Sequence, residues 1–263
     1  IGDPIAHSKS PIIHGFWLEK LGLAFDYRAT RVTRAGLAAF LAERRADPLW
    51  RGCNVTMPLK LDALLLADGG SDRAVAAGAA NVLVARDGQL LAGNTDVGAV
   101  LALLGPIVER GGAEGGITLL GNGGAARSVL VALRMLNVDD VRIQARDLSA
   151  AFKLAVEFGL SEQPRPFTMA IDSQGLINAT PLGMAGAPAL ALDIAAMPTG
   201  GWLFDMVTEP VETPLLRAGR ARGLEAIDGI AMLVEQAAAS FMLLFGQDAP
   251  RGHDSELLEM LRR

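Results

Sequence analysis

The chain has 263 residues, 51% hydrophobic and 20% charged, which excludes a disordered chain and is comfortable for two small domains. Its net charge of −5 gives no long-range pull on nucleic acid or on an anionic membrane, though a pocket for a small anion needs only one or two cations. The single cysteine, Cys53, excludes a disulfide scaffold and fits a reducing cytoplasm; it reads as a buried structural thiol. His7, His14 and His253 make no metal-ligand spacing, so no metal is expected.

In chain order, residues 11–21 read as a helix with Pro11 in its first turn and Ser10 as its cap. Residues 25–31 read as a strand, 37–43 as a helix and 52–55 as a short strand. Helical pieces follow at 61–66 and 74–77, then strands at 80–85 and 89–92 joined by a turn at Asp87-Gly88. A long helix is expected over 97–110, followed by a glycine-rich break at 111–116.

A different grammar then begins. The aliphatic run 117–120 leads into Gly121-Asn122-Gly123-Gly124, a helix over 125–136 and a strand over 141–144. That is a βαβ unit of about thirty residues, which implies a parallel sheet. Further strands are expected at 169–171, 176–178, 202–206 and 224–227. The apolar stretch 230–245 carries Glu235 and Gln236 and is short for a membrane span, so it reads as a mostly buried helix. The fold class is therefore α/β with two domains. Residues 1–96 plus 229–263 form the first, and residues 97–228 form a Rossmann-like second. The last helices are expected to pack back on the first domain.

Four segments carry chemistry. A strand that ends in Gly121-Asn122-Gly123-Gly124 and opens into a helix at Ala125 places backbone N–H groups where a pyrophosphate binds. After the next strand stand Arg146 and Asp147. Arginine favours the 2′-phosphate of NADP and an acid favours the free ribose of NAD, so NADP is the leaning and NAD stays open. The segment Asn54-Val55-Thr56-Met57-Pro58-Leu59-Lys60 presents Asn54 and Thr56 on one face and then Lys60. Asp96, in Gly93-Asn94-Thr95-Asp96, is a partner for Lys60, and such a pair can handle the proton of an alcohol as hydride leaves. Ser8 and Ser10, ahead of a helix, can bind a carboxylate, or Ser10 can simply cap that helix.

Together these motifs resemble the shikimate dehydrogenase family, over residues 2–246. The resemblance also takes in Gly78-Ala79-Ala80-Asn81, Ile177-Asn178-Ala179-Thr180-Pro181-Leu182-Gly183-Met184, Phe204-Asp205-Met206-Val207 and the stretch from Asp228-Gly229 to Gln236. It implies reversible NADPH-dependent reduction of 3-dehydroshikimate to shikimate, on the route to chorismate and the aromatic amino acids. By the same resemblance Lys60 and Asp96 are the catalytic pair. Ser8 and Ser10 bind the carboxylate, and Asn54, Thr56, Asn81 and Gln236 contact the ring hydroxyls. Gly121, Asn122, Gly123, Gly124, Ala125 and Arg146 hold the cofactor phosphates, and Thr180, Met206 and Gly229 line the nicotinamide side. A cytoplasmic monomer or homodimer with a small-molecule substrate is expected.

Three departures from the family pattern stand out: Thr208 replaces a usual tyrosine, Asp147 and Ala150 replace the usual threonine and a second arginine, and Ala231 replaces a glycine. The rival expectations are an NAD-using quinate/shikimate dehydrogenase and a non-catalytic sensor on the same fold.

Overall fold

The structure is a computed structural model that describes residues 1–262. It divides into two compact units: Ile1–Gly98 with the chain from Leu233 onward, and Ala99–Met232.

In the first unit come α1 (Ser10–Lys20), α2 (Leu37–Arg45), β1 (Gly52–Asn54), α3 (Lys60–Leu65), β2 (Gly69–Gly70), α4 (Asp72–Ala77), β3 (Val82–Arg86), β4 (Gln89–Gly93) and the start of α5 (Thr95–Glu109). The strands form one mixed sheet in the order β1-β3-β4-β2, and only β2 runs parallel to its neighbour. The β3–β4 hairpin turns through Asp87 and Gly88, both at positive φ, as a two-residue loop between twisted strands requires. Leu37, Leu41, Val55, Leu59, Leu83 and Leu90 build the core beneath this sheet.

Two expectations fail in this unit. Residues 25–31 make no strand; only an isolated bridge joins Arg31 to Gly2, so the extended segment has no ladder partner. Ser10 does not cap α1: the cap position is Lys9, in helical conformation, with no side-chain cap bond. Ser10 instead sits inside the first turn, where its N–H donates to Ser8 Oγ at 3.3 Å.

The second unit carries β5 (Ile117–Leu120), α6 (Gly124–Met135), β6 (Val141–Gln144), α7 (Leu148–Phe158), β7 (Gly175–Asn178), β8 (Trp202–Asp205), α8 (Pro214–Ala221) and β9 (Glu225–Ile227). Its five strands are all parallel, in the order β6-β5-β7-β8-β9. β5, β7 and β8 are buried along their whole length, which is why their sequences are apolar runs and not alternating ones. The expected strand at 169–171 is absent. Met169 closes a turn onto Pro166, and the residue that reaches the free edge of β6 is Arg165, whose N–H and C=O bond Ile143 and Ala145.

α9 (Gly229–Phe245) leads the chain back, and a 3₁₀ turn (Arg251–His253) and α10 (Asp254–Leu261) complete the first unit. Lys9 Nζ donates to the carbonyl of Leu261 at 2.8 Å, and Lys20 pairs with Glu256 at 2.7 Å, so α10 holds both ends of α1. Arg251 joins Glu235 of α9 to Asp254 of α10. Among the described residues no helix is long and apolar enough to cross a membrane.

Candidate active site

Backbone pairing at one end of the first unit's sheet assembles a polar cluster. The register sets Asn54 opposite Val82, and Val82 opposite Gly93. One residue further, the N–H of Val55 donates to the carbonyl of Asn81, and the N–H of Asn81 donates to the carbonyl of Gly93. The N–H of Ala80 donates to the carbonyl of Lys60 at 2.8 Å, which anchors the start of α3 beside Asn81. Asn94 opens α5: its Oδ1 accepts the N–H of Val97, and its Nδ2 donates to the carbonyl of Ala79. Asp96 therefore lies in the first turn of α5, where free helix N–H groups favour a carboxylate.

These constraints bring Lys60 and Asp96 together. Lys60 Nζ lies 2.6 Å from Asp96 Oδ2, with only 15% and 6% of the two side chains exposed. The other carboxylate oxygen, Oδ1, accepts from Asn81 Nδ2 at 2.8 Å. Asn81 also donates to Thr95 Oγ1 at 2.8 Å, lies 3.4 Å from Gln236 Oε1, and accepts the N–H of Thr95. The amide of Asn81 is thus committed to Asp96 and its neighbours, and its first effect is to orient the carboxylate. Gln236 reaches the cluster from α9, its Nε2 donating to the carbonyl of Leu233.

Asn54 and Thr56 flank buried Val55 and are themselves half-buried. Asn54 Oδ1 accepts from the phenol of Tyr27 at 2.8 Å. Ser8 and Ser10 are half-buried as well. Beside them His14 is fully buried with neither ring nitrogen bonded, and burial pulls its pKa down to about 3. Burial likewise pushes the Cys53 thiol up to about 11, so it is no thiolate nucleophile at neutral pH.

In the second unit the expected cofactor residues collect at the carboxyl ends of the strands. The strand order reverses beside β5, and such a switch point opens a crevice at the strand ends. Gly121 has φ +105°, and a Cβ there would lie 2.9 Å from Thr180 Cγ2, so only glycine lets this turn pack on Ala179–Thr180. Asn122 is half-buried. Gly123 is the cap residue of α6, with no side-chain cap and open space where a Cβ would be. The first turn of α6, Gly124 and Ala125, therefore keeps N–H donors for an anion. Gly229 is needed at the start of α9, because a Cβ would lie 2.2 Å from the carbonyl of Val207.

Arg146 is exposed at the end of β6. Asp147 does not extend its side chain freely: its Oδ1 accepts the N–H of Ala150 at 3.0 Å and caps α7. A buried network that the sequence reading does not single out positions Thr180 and Met206. Asn178 accepts both the N–H and the hydroxyl of Thr180, and its carbonyl accepts the N–H of Met206. Asn178 Nδ2 donates to Asp205 Oδ1 at 2.9 Å, while Asp205 Oδ2 accepts from Thr213, the cap of α8. Burial raises the Asp205 carboxyl above the usual range against these hydrogen bonds. The signal was a polar residue closing an otherwise apolar strand, Asn178 on β7 and Asp205 on β8.

Residues 1–83 match the family model described as the shikimate dehydrogenase substrate binding domain. The NADP(+) shikimate dehydrogenase of Sphingopyxis alaskensis is 45% identical over 263 residues, covering 99% of this chain and 95% of that one. The chain belongs to the shikimate dehydrogenase family. It is thereby an oxidoreductase of NADP-dependent kin. Among solved structures, shikimate 5-dehydrogenase from Thermus thermophilus, in complex with NADP(H) and shikimate, superposes with a TM-score of 0.85 at 35% identity, covering 99% of this chain and 97% of that one. Quinate dehydrogenase from Corynebacterium glutamicum, in complex with NAD, gives a TM-score of 0.83 at 28% identity, covering 98% and 96%. The family's cofactor fits the residues present: an uncapped glycine start to α6, open space at Gly123, and an unencumbered arginine at the end of β6.

Proposed function

We propose that this chain catalyses the reversible NADPH-dependent reduction of 3-dehydroshikimate to shikimate, with Lys60 and Asp96 handling the hydroxyl proton. The observation that carries the reading is the buried Lys60–Asp96 pair at 2.6 Å, locked on its far side by Asn81. When bound, NADPH supplies the hydride. As the carbonyl is reduced, Lys60 Nζ donates a proton to the forming hydroxyl oxygen; in the reverse direction it accepts that proton. Asp96 keeps Nζ in place and balances its charge in a site with little water. Ser8 and Ser10 hold the carboxylate, and Asn54, Thr56 and Gln236 hold ring hydroxyls. The unit of Ile1–Gly98 and the chain from Leu233 onward is the substrate and catalytic domain, and Ala99–Met232 holds the cofactor.

Gly121 to Ala125 take the pyrophosphate and Arg146 takes the 2′-phosphate. Because Asp147 is occupied in capping α7, it gives little support to an NAD-using reading.

The test is an absorbance assay at about 340 nm, the band of reduced nicotinamide, with shikimate or quinate and NADP or NAD in four combinations. Fast NADP reduction with shikimate is the expected result. A preference for NAD or quinate, or silence in all four with ligand binding retained, overturns the assignment.

A further inference from the structure

We infer that Lys9 is a positioning residue for carboxylate binding: its tether to the carboxyl end of α10 holds the turn that presents Ser8 and Ser10. The inference rests on the proposed role of those two serines.

Little in the local chain holds that turn. Lys9 occupies the cap position of α1 in helical conformation, and no side chain caps the helix. Pro11 has no N–H to bond back, and the carbonyl of Lys9 accepts the N–H groups of Ile12 and Ile13 at 3.1 and 3.2 Å. Upstream, the N–H of Ser8 donates to the carbonyl of Ile5, and the N–H of Ser10 reaches Ser8 Oγ at 3.3 Å, long for a hydrogen bond.

Lys9 adds a bond of a different range. Its Nζ donates at 2.8 Å to the carbonyl of Leu261, 252 residues further along. The last carbonyls of a helix have no partner within it, and that end carries a partial negative charge, so an ammonium is favoured there. α10 is a firm anchor. Leu257 and Leu261 are fully buried, Glu256 pairs with Lys20 at the far end of α1, and Arg251 ties Asp254 to Glu235 of α9. The ammonium is engaged by α10, so Lys9 acts on the carboxylate through the serines on either side of it. A hydroxyl bond to a carboxylate is directional, and both hydroxyls are aimed by the backbone that Lys9 pins.

The test is Lys9→Met, which keeps an apolar stem and removes the ammonium. For shikimate, kcat/KM should fall about tenfold, nearly all through KM, as when charge-assisted hydrogen bonds are partly lost. The kcat should stay within about twofold, because Lys60 and Asp96 sit on α3 and α5. Lys9→Arg keeps the reach and the donors and should return kcat/KM to within about threefold of wild type. Lys20→Met cuts the other link between α1 and α10 and should leave KM unchanged. With Ser8 and Ser10 both replaced by alanine, Lys9→Met should add less than about twofold. The loss should be equal at about 0.05 M and 0.5 M salt, since a charge acting across solvent is screened and a tether is not. Melting temperatures within about 4 °C of wild type identify folded variants. Lys9→Gln, whose amide falls short of Leu261, replaces the methionine variant if that one does not fold, and should show the same loss. A wild-type KM in the folded variant would overturn the inference. So would an equal rise in Lys20→Met, a full tenfold loss without the serines, or a loss that vanishes at high salt. Wild-type protein that ignores shikimate would overturn the proposed function, and this inference with it.

Discussion

Replacing Lys60 tests the proton-handling role, and two substitutions separate charge from proton transfer. Lys60→Met removes both. Asp96 then keeps one donor, Asn81 Nδ2 at 2.8 Å, and loses its ion pair in a site where 6% of its side chain is exposed. Breaking a buried pair on one side costs about 3–5 kcal/mol, so thermal melting must accompany the kinetics. If Lys60 acts as the proton donor and acceptor, kcat falls by about 10²-fold or more, a barrier increase of about 2.7 kcal/mol. KM for shikimate should change far less, since the proposed binding groups sit on other elements. Lys60→Arg keeps the positive charge beside Asp96, but a guanidinium does not give up its proton in a protein. It should restore most of the lost stability and little of the lost rate. The assay is initial rates at saturating NADP across a shikimate series, for folded protein only. A near-normal kcat in Lys60→Met would remove Lys60 from the mechanism. Full activity in Lys60→Arg would reduce its role to electrostatics.

His14→Phe should stabilise the protein, most strongly in acid. The folded histidine is held near a pKa of about 3 by burial, while the unfolded one titrates near 6.5. Between these values the unfolded state binds the extra proton, so stability is complete above about 6.5 and falls by about 1.4 kcal/mol per pH unit below it. Melting curves at about pH 7.5 and pH 5 should show a larger gain at the lower pH; equal gains would mean that His14 takes up no proton on unfolding. Arg146→Ala should raise KM for NADP about tenfold or more and barely touch NAD, read from paired initial-rate series. Asp147→Ala should cost about 1 kcal/mol through the lost α7 cap and leave the NADP-to-NAD ratio near wild type. A large swing of that ratio toward NADP would show the carboxylate facing the ribose after all. Gly121→Ala should abolish tight NADP binding, because the residue has φ +105° and its methyl would crowd Thr180; binding by fluorescence titration at wild-type affinity would contradict this.

The inner strands of the second unit, β5, β7 and β8, were legible because burial on both faces writes them as short, mostly apolar runs; the expected bounds 117–120 and 141–144 coincide with β5 and with the edge strand β6. The failures have physical causes. In residues 25–31 the apolar positions Phe25 and Tyr27 suggest alternation, but they face an aromatic cluster and not a neighbouring strand: Phe25 packs on Phe245 and Tyr27 on His14. At 169–171 the preceding prolines bend the chain, and a single residue, Arg165, does the edge pairing. Lys60 and Asp96 were legible as a pair through their two motifs. That Asn81 commits its amide to Asp96 was not, because it depends on which rotamer the β3–β4 register imposes. Tyr27 left no trace in spacing either, since its bond to Asn54 spans unrelated elements.

The chain leaves the first unit after Gly98 and re-enters it only at Leu233. The order of synthesis follows from this. The ribosome completes Ala99–Met232, a continuous stretch able to fold as it emerges, before it supplies the segment that carries Gln236, Phe241 and α10. Until then the first unit lacks two of the aromatic partners of His14, Phe241 and Phe245, and the helix that holds Lys9. A nascent chain halted short of Leu233 would carry the glycine turn of β5–α6 while the Asn81 cluster still waited for Gln236.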